Sequence, residues 1–217
     1  ESWQIQYGDK TCRAIAEAHL REPLLVLSAK TAPKELSRLL GAELIPTGSI
    51  LLRSGGLVET LAGYSEGTWW IQDTAAALPA KILLAAMPCN KKHRVLDMCA
   101  APGGKTAQLA ASGATVTAID RSKKRLNTLR ENLKRLNLKA TIVTADASTY
   151  RPSNTIDGIL IDAPCTATGT IRRHPDIARN KRYDDVKRLS QLQEQILKNA
   201  VDQLLPGGVL VYSVCSL

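Results

Sequence analysis

The sequence predicts an α/β protein with a doubly wound, mostly parallel sheet, preceded by a small α+β subdomain. From about residue 70 onward, short apolar segments of strand length alternate with segments of helical periodicity. Such alternation is typical of a parallel sheet that helices cover on both faces. A glycine-rich turn follows the first of these strands, and an aspartate lies at or just after the end of four of them. The change in pattern divides the chain into residues 1–68 and residues 69–217.

The first part has weaker patterns. It is predicted to contain a helix over residues 12–21, a strand over 24–27, a helix from about residue 31, and a strand over 50–52. Thr31 is the candidate N-cap of the second helix, because Pro33 would lie in its first turn. A glycine-containing turn over residues 64–68 ends this part.

The second part is predicted in order along the chain. Its helices are expected over residues 73–87, from the glycine-rich turn onward, over 122–138, and over 184–205. Its strands are expected over residues 95–98, 116–119, 141–144, 158–161 and 209–214. Leu126, Leu129, Leu133 and Leu136 give the 122–138 segment a helical apolar face. Pro206-Gly207-Gly208 is expected to stop the last helix. Ligands of such sheets bind at the carboxyl ends of the strands.

The amino-acid composition indicates which kinds of molecule the protein binds. The 217 residues carry a formal net charge of +9, and this excess of bases favours a polyanion such as nucleic acid. Eight aromatic residues and no phenylalanine argue against an aromatic sheet on which bases stack. No apolar run reaches the length of a membrane span, so we expect no membrane contact.

The chain has five widely scattered cysteines, and no two of them have the short spacing that is typical of a zinc site. We therefore expect no metal, reduced thiols and a cytoplasmic protein. Buried cysteines are most often small packing residues, which is the interpretation we give to Cys12, Cys89 and Cys99.

The glycine-rich turn, residues 99–105, has three competing interpretations. A dinucleotide fold needs G-x-G-x-x-G, which the turn lacks. A P-loop needs a glycine where this chain has Cys99, although Gly104-Lys105-Thr106 fits its end. The remaining interpretation is a turn that approaches S-adenosylmethionine, which carries no phosphate. Asp120 can then accept the ribose hydroxyls and Asp146 the adenine amino group. Each aspartate alone would more often be a helix N-cap.

Three motifs resemble those of the Nop2p/Sun family of RNA cytosine-5 methyltransferases. They are Val95-Leu-Asp-Met-Cys-Ala-Ala-Pro-Gly-Gly-Lys-Thr106, Ile161-Asp-Ala-Pro-Cys165 and Tyr212-Ser-Val-Cys-Ser216. Residues 168–176 are similar to the substrate-side loop of the bacterial branch, which modifies small-subunit ribosomal RNA. Val214 departs from the threonine that usually precedes the last cysteine. The resemblance is strong from about residue 70 and only an outline before it.

The resemblance implies a class I, Rossmann-like methyltransferase dependent on S-adenosylmethionine, with residues 1–68 as a small RNA-contacting subdomain. It also implies that the chain is a catalytic core of a longer protein. The implied cofactor-binding residues are Cys99, Ala100, Ala101, Pro102, Gly103, Gly104, Lys105, Asp120, Arg125, Asp146 and Asp162. The implied catalytic residues are Cys215, Cys165 and Asp162.

Cys165 and Cys215 follow the fourth and fifth predicted strands, which are neighbours in a doubly wound sheet, so we expect both thiols in one cleft. Two thiols fit the chemistry of cytosine. A thiolate that adds to carbon 6 makes carbon 5 nucleophilic, and a base must then remove the carbon-5 proton before the thiol leaves. Spacing does not decide which cysteine attacks. The cysteine after Pro164 attacks in DNA cytosine-5 methyltransferases, whereas the resemblance to the RNA family favours Cys215 as nucleophile and Cys165 as helper in release. Asp162 is expected to hydrogen-bond the cytosine ring.

Positive charge is concentrated in residues 121–139 and 172–188. We expect the first segment to be a solvated helix face, apart from Arg125 beside Asp120. The second follows the Pro-Cys motif, so Arg172, Arg173 and His174 are expected to bind the phosphates of RNA.

The sequence thus predicts an RNA cytosine-5 methyltransferase, with ribosomal RNA as its expected partner and a monomer as its expected state. Two alternatives stay open. One is a methyltransferase acting on DNA or another substrate, and the other is a catalytically silent RNA-binding protein of the same fold.

Overall fold

A computed structural model describes residues 2–53, 56–88 and 92–216. The N-terminal part contains a kinked helix, a short helix and four strands. These are α1 (Ser2–Leu20), β1 (Leu25–Ala29), α2 (Pro33–Leu39), β2 (Glu43–Leu44), β3 (Ser49–Leu52) and β4 (Trp69–Ile71). The strands form an antiparallel sheet in the order β2-β3-β1-β4. The predicted packing role of Cys89 lies outside the described residues.

The second part alternates helices and strands. Its elements are α3 (Thr74–Ala86), β5 (Arg94–Met98), α4 (Gly104–Ala111), β6 (Thr115–Asp120), α5 (Lys123–Arg135), β7 (Thr141–Thr144), β8 (Ile156–Asp162), α6 (Ile177–Asn180), α7 (Tyr183–Val201) and β9 (Leu204–Ser213). The strands pair in parallel in the order β7-β6-β5-β8-β9. The direction of strand addition reverses between β5 and β8, which is where doubly wound sheets bind ligands. The predicted α/β class is confirmed.

Strand β8 shows how the sheet is covered on both faces. Ile159 and Ile161 pack in a core cluster with Ile196 of α7. Leu160 points the other way and packs with Leu83 of α3. Because successive strand side chains alternate between faces, a continuous apolar strand needs helices on both sides.

The predicted boundary between the last helix and the last strand is wrong, and the first helix begins at Ser2 rather than near residue 12. Helix α7 ends at Val201 rather than near residue 205, and Pro206, Gly207 and Gly208 lie inside β9. The pairing of β8 with β9 is irregular there, since the register shifts between Ile156 and Gly158. A strand tolerates proline at such a bulge, because no ladder hydrogen bond is lost.

The N-cap of α2 is also not the predicted Thr31. Ala32 occupies this position in the left-handed region, with φ 49°, and no side chain caps the helix. Pro33 stands at the start of α2 as predicted, where its missing N–H costs nothing.

Strand β4 lies directly after the predicted boundary at residue 68. It pairs with β1, with Ile71 opposite Leu27, and so extends the N-terminal sheet. We therefore propose that the two parts divide just after β4, at the start of α3.

The C-terminal end of α5 joins the two parts. The guanidinium of Arg135 donates to the carbonyl oxygens of Tyr64 at 2.8 Å and Trp69 at 3.0 Å, and lies 4.3 Å from the centre of the Tyr64 ring. The Nζ of Lys30 donates to the carbonyl oxygen of Leu136 at 2.7 Å. The expectation of a solvated basic face on α5 is therefore wrong for Arg135, because its guanidinium is hydrogen-bonded to backbone carbonyl oxygens of the N-terminal part.

None of the helices within the described ranges combines the length and apolar character needed to cross a membrane.

Candidate active site

A cleft of about 310 Å³ lies at the carboxyl ends of the parallel strands. Its volume is at the lower end of the range for small-molecule sites. It is lined by most of the polar side chains predicted for the cofactor and the chemistry, namely Cys99, Asp120, Arg125, Asp146, Asp162, Cys165 and Cys215. Parallel strands bring these residues to one edge from positions as much as 116 residues apart in the chain.

The glycine-rich turn links β5 to α4 through unusual backbone conformations. Cys99 has φ 62° and Gly103 has φ 108°. A Cβ on Gly103 would lie 2.8 Å from the Cγ of Leu129, so only glycine lets α5 pack so closely on the turn. Of the seven predicted cofactor residues in the turn, Cys99 lines the cleft, while Ala100 and Ala101 are buried in the apolar cluster of α5.

Cys99 keeps its proton. Burial, followed by the charge of Asp120, raises the pKa of its thiol to about 12. A thiol in this state is a poor nucleophile. Its position against the core cluster of β5 and β8 fits the predicted packing role, although it also lines the cleft.

Asp120 is buried and fixed on both sides. Its Oδ2 accepts the N–H of Ala101 at 3.2 Å, and its Oδ1 accepts the N–H of Ser122 at 2.9 Å. Arg125 lies 3.4 Å from Oδ2 and also donates to the carbonyl oxygen of Ala101. Each carboxylate oxygen retains acceptor capacity, which can be offered to a ligand in the cleft.

Asp146 shapes a turn rather than capping a helix, so the N-cap interpretation is wrong for it. Its Oδ1 accepts from the N–H of Ser148 at 2.8 Å and from the Ser148 hydroxyl at 2.6 Å, as in a turn. These hydrogen bonds lower the pKa of Asp146, which therefore stays ionised. The same residue lines the cleft, so shaping a turn and facing a ligand are compatible here.

Asp97 lies fully buried beneath the turn. The Thr106 hydroxyl donates to its Oδ2 at 2.6 Å, whereas its Oδ1 has no hydrogen-bond partner among the described residues. Burial raises the pKa of Asp97 to about 7. Asp97 is one of the four strand-end aspartates of the sequence, and its contact with Thr106 shows that it holds the first turn of α4.

Lys105 connects the glycine-rich turn to the end of β8. Its Nζ lies 2.7 Å from Oδ2 of Asp162, and its side chain is only 12% exposed. The Ser213 hydroxyl is shared between the other oxygen, Oδ1, at 3.3 Å and the carbonyl oxygen of Ile161 at 3.2 Å. Asp162 is thus held by a residue of α4 and by the last residue of β9, while 37% of its side chain stays accessible. The contact of Lys105 with Asp162 could not be read from the sequence.

Cys165 and Cys215 lie side by side. The Sγ atoms are 3.4 Å apart, although 50 residues separate them in the chain. Cys165 follows β8, Cys215 follows the neighbouring β9, and Cys215 is the more exposed of the two. The prediction that adjacent strands bring both thiols into one cleft is confirmed by this geometry.

The two thiols share one negative charge. The hydrogen bond from Cys215 lowers the pKa of Cys165 to about 5. The same contact, with burial and the charges on Cys165 and Asp162, raises the pKa of Cys215 well above its ordinary range. Because the sulfurs touch, the charge belongs to the pair, and a proton can pass between them without a third group.

The predicted RNA-binding residues lie beyond the Pro-Cys loop. Arg172 and His174 are exposed, and Arg173 forms an ion pair with Asp73, the N-cap of α3. Arg121 also lines the cleft. We did not predict it as a site residue, because we expected it on a solvated helix face.

Relatives of this chain are ribosomal RNA methyltransferases. Residues 83–217 match the sequence model of the family described as 16S rRNA methyltransferase RsmB/F. The chain is 44% identical over 173 residues to ribosomal RNA small subunit methyltransferase B of Salmonella newport, and 42% identical to that of Salmonella arizonae. Each alignment covers 77% of this chain and 39% of the relative. The chain therefore spans well under half the length of the curated relatives it matches.

Solved structures agree with the fold. A methyltransferase homologue from Pyrococcus horikoshii superposes with a TM-score of 0.79 at 30% identity, over 97% of this chain and 70% of the other. NSun6 from the same organism, solved with SFG, also gives 0.79, at 20% identity, over 100% and 82% of the two chains. The class I methyltransferase fold is confirmed, and the likeness extends over the N-terminal sheet.

Proposed function

This chain belongs to the RsmB/F family of 16S rRNA methyltransferases, and we propose that it is the catalytic part of an enzyme that methylates carbon 5 of a cytosine in RNA. S-adenosylmethionine is the proposed methyl donor. The observation that carries the proposal is the pair of thiols 3.4 Å apart, beside Asp162, in the cleft at the strand ends. Amino-group methylation would need no such pair.

The cleft has the chemistry that S-adenosylmethionine requires. The donor carries a positive sulfonium, and the carboxylates of Asp120, Asp146 and Asp162 line the cleft. Buried Asp120 supports the proposed contact with the ribose hydroxyls, because its remaining lone pairs are held in place by two backbone N–H groups. When bound, the donor supplies an electrophilic methyl group.

Cys215 is the proposed nucleophile. Its thiolate forms a bond to carbon 6 of cytosine, and carbon 5 then takes the methyl group while the donor leaves as its neutral thioether. The greater exposure of Cys215 supports this assignment, since a flipped-out base approaches from solvent. In the ligand-free protein the charge of the pair favours Cys165. Transfer of one proton across 3.4 Å, from Cys215 to Cys165, produces the attacking thiolate.

Cys165 is the proposed helper in release. After methyl transfer, the carbon-5 proton must be removed and the bond between Cys215 and carbon 6 must break. The carbon-5 proton passes to solvent, and the sulfur of Cys215 leaves as a thiolate. Cys165, which holds the proton taken from Cys215 before attack, lies next to this sulfur and returns the proton to it. Asp162, fixed by Lys105 and Ser213, is proposed to hydrogen-bond the cytosine ring as its charge changes.

The alternatives predict different products. A DNA cytosine-5 methyltransferase would use the cysteine after Pro164, and the low pKa of Cys165 is the observation that favours it. A silent RNA-binding protein would transfer no methyl group. The full-length protein should therefore be incubated with labelled S-adenosylmethionine and unmodified small-subunit rRNA or duplex DNA, and the product digested to nucleosides. Labelled 5-methylcytidine from RNA supports the proposal, while label only in DNA, or none, contradicts it.

Replacement of Asp120 by asparagine is expected to weaken binding of S-adenosylmethionine by about 10- to 100-fold, because charged hydrogen bonds to the ribose are lost. Asparagine keeps the size of the side chain. Calorimetric titration of the donor measures the effect. Asp202→Asn, at an exposed residue after α7 that pairs with Arg151, is the matched control. Equal affinity for the donor in Asp120→Asn and wild type would remove Asp120 from the site.

Replacement of Arg172 by alanine is expected to lower the salt dependence of RNA binding. Loss of one phosphate contact to a single strand reduces the slope of log affinity against log salt by about 0.7. Filter binding over a series of KCl concentrations gives this slope. Lys198→Ala, at an exposed base paired with Glu194 in α7, should leave it unchanged. If Arg172→Ala and Lys198→Ala have the same slope, Arg172 does not contact phosphate.

A further inference from the structure

The loops that carry the two cysteines are joined by three hydrogen bonds, which we call the clasp. The Oγ of Ser216 lies 2.8 Å from the Oγ1 of Thr166 and accepts the N–H of Ala167 at 3.1 Å. The N–H of Gly169 donates to the carbonyl oxygen of Cys215 at 2.9 Å. Ser216 therefore provides one side of two of the three bonds.

Every bond of the clasp involves a cysteine or its close neighbour. Thr166 directly follows Cys165, and Ser216 directly follows Cys215. The regular strands end earlier, at Asp162 and Ser213, and one further bond from the N–H of Ala163 to the carbonyl oxygen of Ser213 closes the sheet. Beyond that point the sheet no longer fixes the distance between the loops. The clasp does so, at the place where the sulfurs lie 3.4 Å apart.

The backbone of Ala167 supports this view. Ala167 has φ 60° and ψ 24°, a left-handed conformation that residues with a Cβ seldom adopt. Such strain persists where surrounding contacts hold it, and it is concentrated at functional sites. In this conformation the N–H of Ala167 meets Ser216, and the chain turns so that Gly169 reaches Cys215.

We propose that Ser216 is a positioning residue of the methyl-transfer site, whose hydroxyl holds the loop of Cys165 against the loop of Cys215 at the spacing that lets the thiols exchange a proton. Its effect on methylation rests on the proposed function, whereas its effect on the thiols does not. Without the hydroxyl, the N–H of Ala167 and the hydroxyl of Thr166 lose their partner, and the loops can separate.

The electrostatics of the pair agree with this role. After the contact with Cys215, a hydrogen bond from Ser216 is the next favourable contribution that lowers the pKa of Cys165. Loss of the Ser216 hydroxyl therefore acts twice, by removing one hydrogen bond to the thiolate and by loosening the contact between the sulfurs. Both changes raise the pH at which the pair first ionises.

The test compares Ser216→Ala, Ser216→Thr and wild type in the full-length protein. Ser190→Ala is the matched control, because Ser190 is exposed on α7 and its hydroxyl donates to the carbonyl oxygen of Lys187 in the same helix. Three quantities are measured: kcat and KM on small-subunit rRNA, the melting temperature, and the pH profile of alkylation of Cys165 and Cys215 by iodoacetamide without RNA. Alkylation is read for each cysteine by mass spectrometry.

Ser216→Ala should lower kcat by about 10- to 100-fold, as expected for displaced reacting groups, with KM and melting temperature unchanged. The pH of half-maximal alkylation should rise by about one unit, the effect of one hydrogen bond to a charged group. Ser216→Thr should restore both values. The double variant Thr166→Val with Ser216→Ala should be no worse than Ser216→Ala alone, because both remove the same bond.

An alkylation profile that does not move in Ser216→Ala overturns the proposal. So does a loss of kcat that parallels a loss of melting temperature, or a Ser216→Thr variant that behaves like Ser216→Ala. If wild type makes no 5-methylcytidine yet the profile shifts in Ser216→Ala, the proposed function fails and the positioning of the thiols by Ser216 stands.

Discussion

Cys215→Ala is expected to abolish methyl transfer and to prevent any covalent complex with RNA. Without a sulfur at this position nothing adds to carbon 6, and carbon 5 stays unreactive. The loss should be about 10⁴-fold or more, as for removal of other catalytic nucleophiles. Methylation is measured with labelled S-adenosylmethionine and small-subunit rRNA. The covalent complex is detected as an SDS-resistant band with RNA that contains 5-fluorocytosine, whose fluorine blocks release.

Cys12→Ala is the matched control for this experiment. Cys12 is a partly buried thiol of α1, outside the cleft, so this variant should keep the activity and the covalent band of wild type. A covalent band of normal intensity in Cys215→Ala would show that another residue attacks. Since Cys165 lies 3.4 Å away, it would then be the nucleophile, and the roles of the two thiols would be exchanged.

Cys165→Ala is expected to have the opposite effect on the covalent complex. The contact with Cys165 is the main cause that raises the pKa of Cys215, so without it Cys215 can lose its proton to solvent. Cys215 can therefore still add to carbon 6 and the methyl group can still be transferred, but the helper for release is missing. The variant should therefore accumulate an SDS-resistant complex with ordinary RNA, without 5-fluorocytosine, while wild type shows little. Turnover should fall by about 10²- to 10⁴-fold, the usual contribution of general acid–base catalysis.

The chemical composition of the trapped complex shows whether the reaction stops before or after methyl transfer. Digestion of the complex from Cys165→Ala should yield a peptide containing Cys215 linked to a methylated cytosine. An unmethylated adduct would place the block before methyl transfer. Absence of any complex, together with full activity, would remove Cys165 from the reaction.

Much of the fold followed from local patterns. The strand over residues 141–144 was predicted at its observed bounds, and Leu126, Leu129 and Leu133 form the buried face of α5. These elements are predictable because each has a single apolar period and clear ends. The alternation of strands and helices along the chain also implied a parallel sheet, since two neighbouring parallel strands need a crossover connection between them. That β8 and β9 are neighbours was then expected from the doubly wound class, whereas the place of β5 beside β8 came from the structure.

Other features depended on contacts between distant residues. Pro206 marks the end of a helix in local terms, yet here it lies in a bulged strand, because pairing with β8 outweighs the local signal. Arg135 is one base among many in the sequence, and only the N-terminal sheet reveals its contacts with Tyr64 and Trp69. No pattern in α5 distinguishes Arg135 from its solvated neighbours.

The sequence by itself determined the family, the fold class and the two cysteines that belong together, because its motifs keep their residues and order. Only the tertiary structure decided how the cysteines are related. Their contact at 3.4 Å, the charge that they share, and the bond from Lys105 to Asp162 each join residues that are at least 50 positions apart in the chain. The physical reason is that a thiol's pKa and the distance between two loops depend on groups brought together by folding, which a local sequence pattern does not contain.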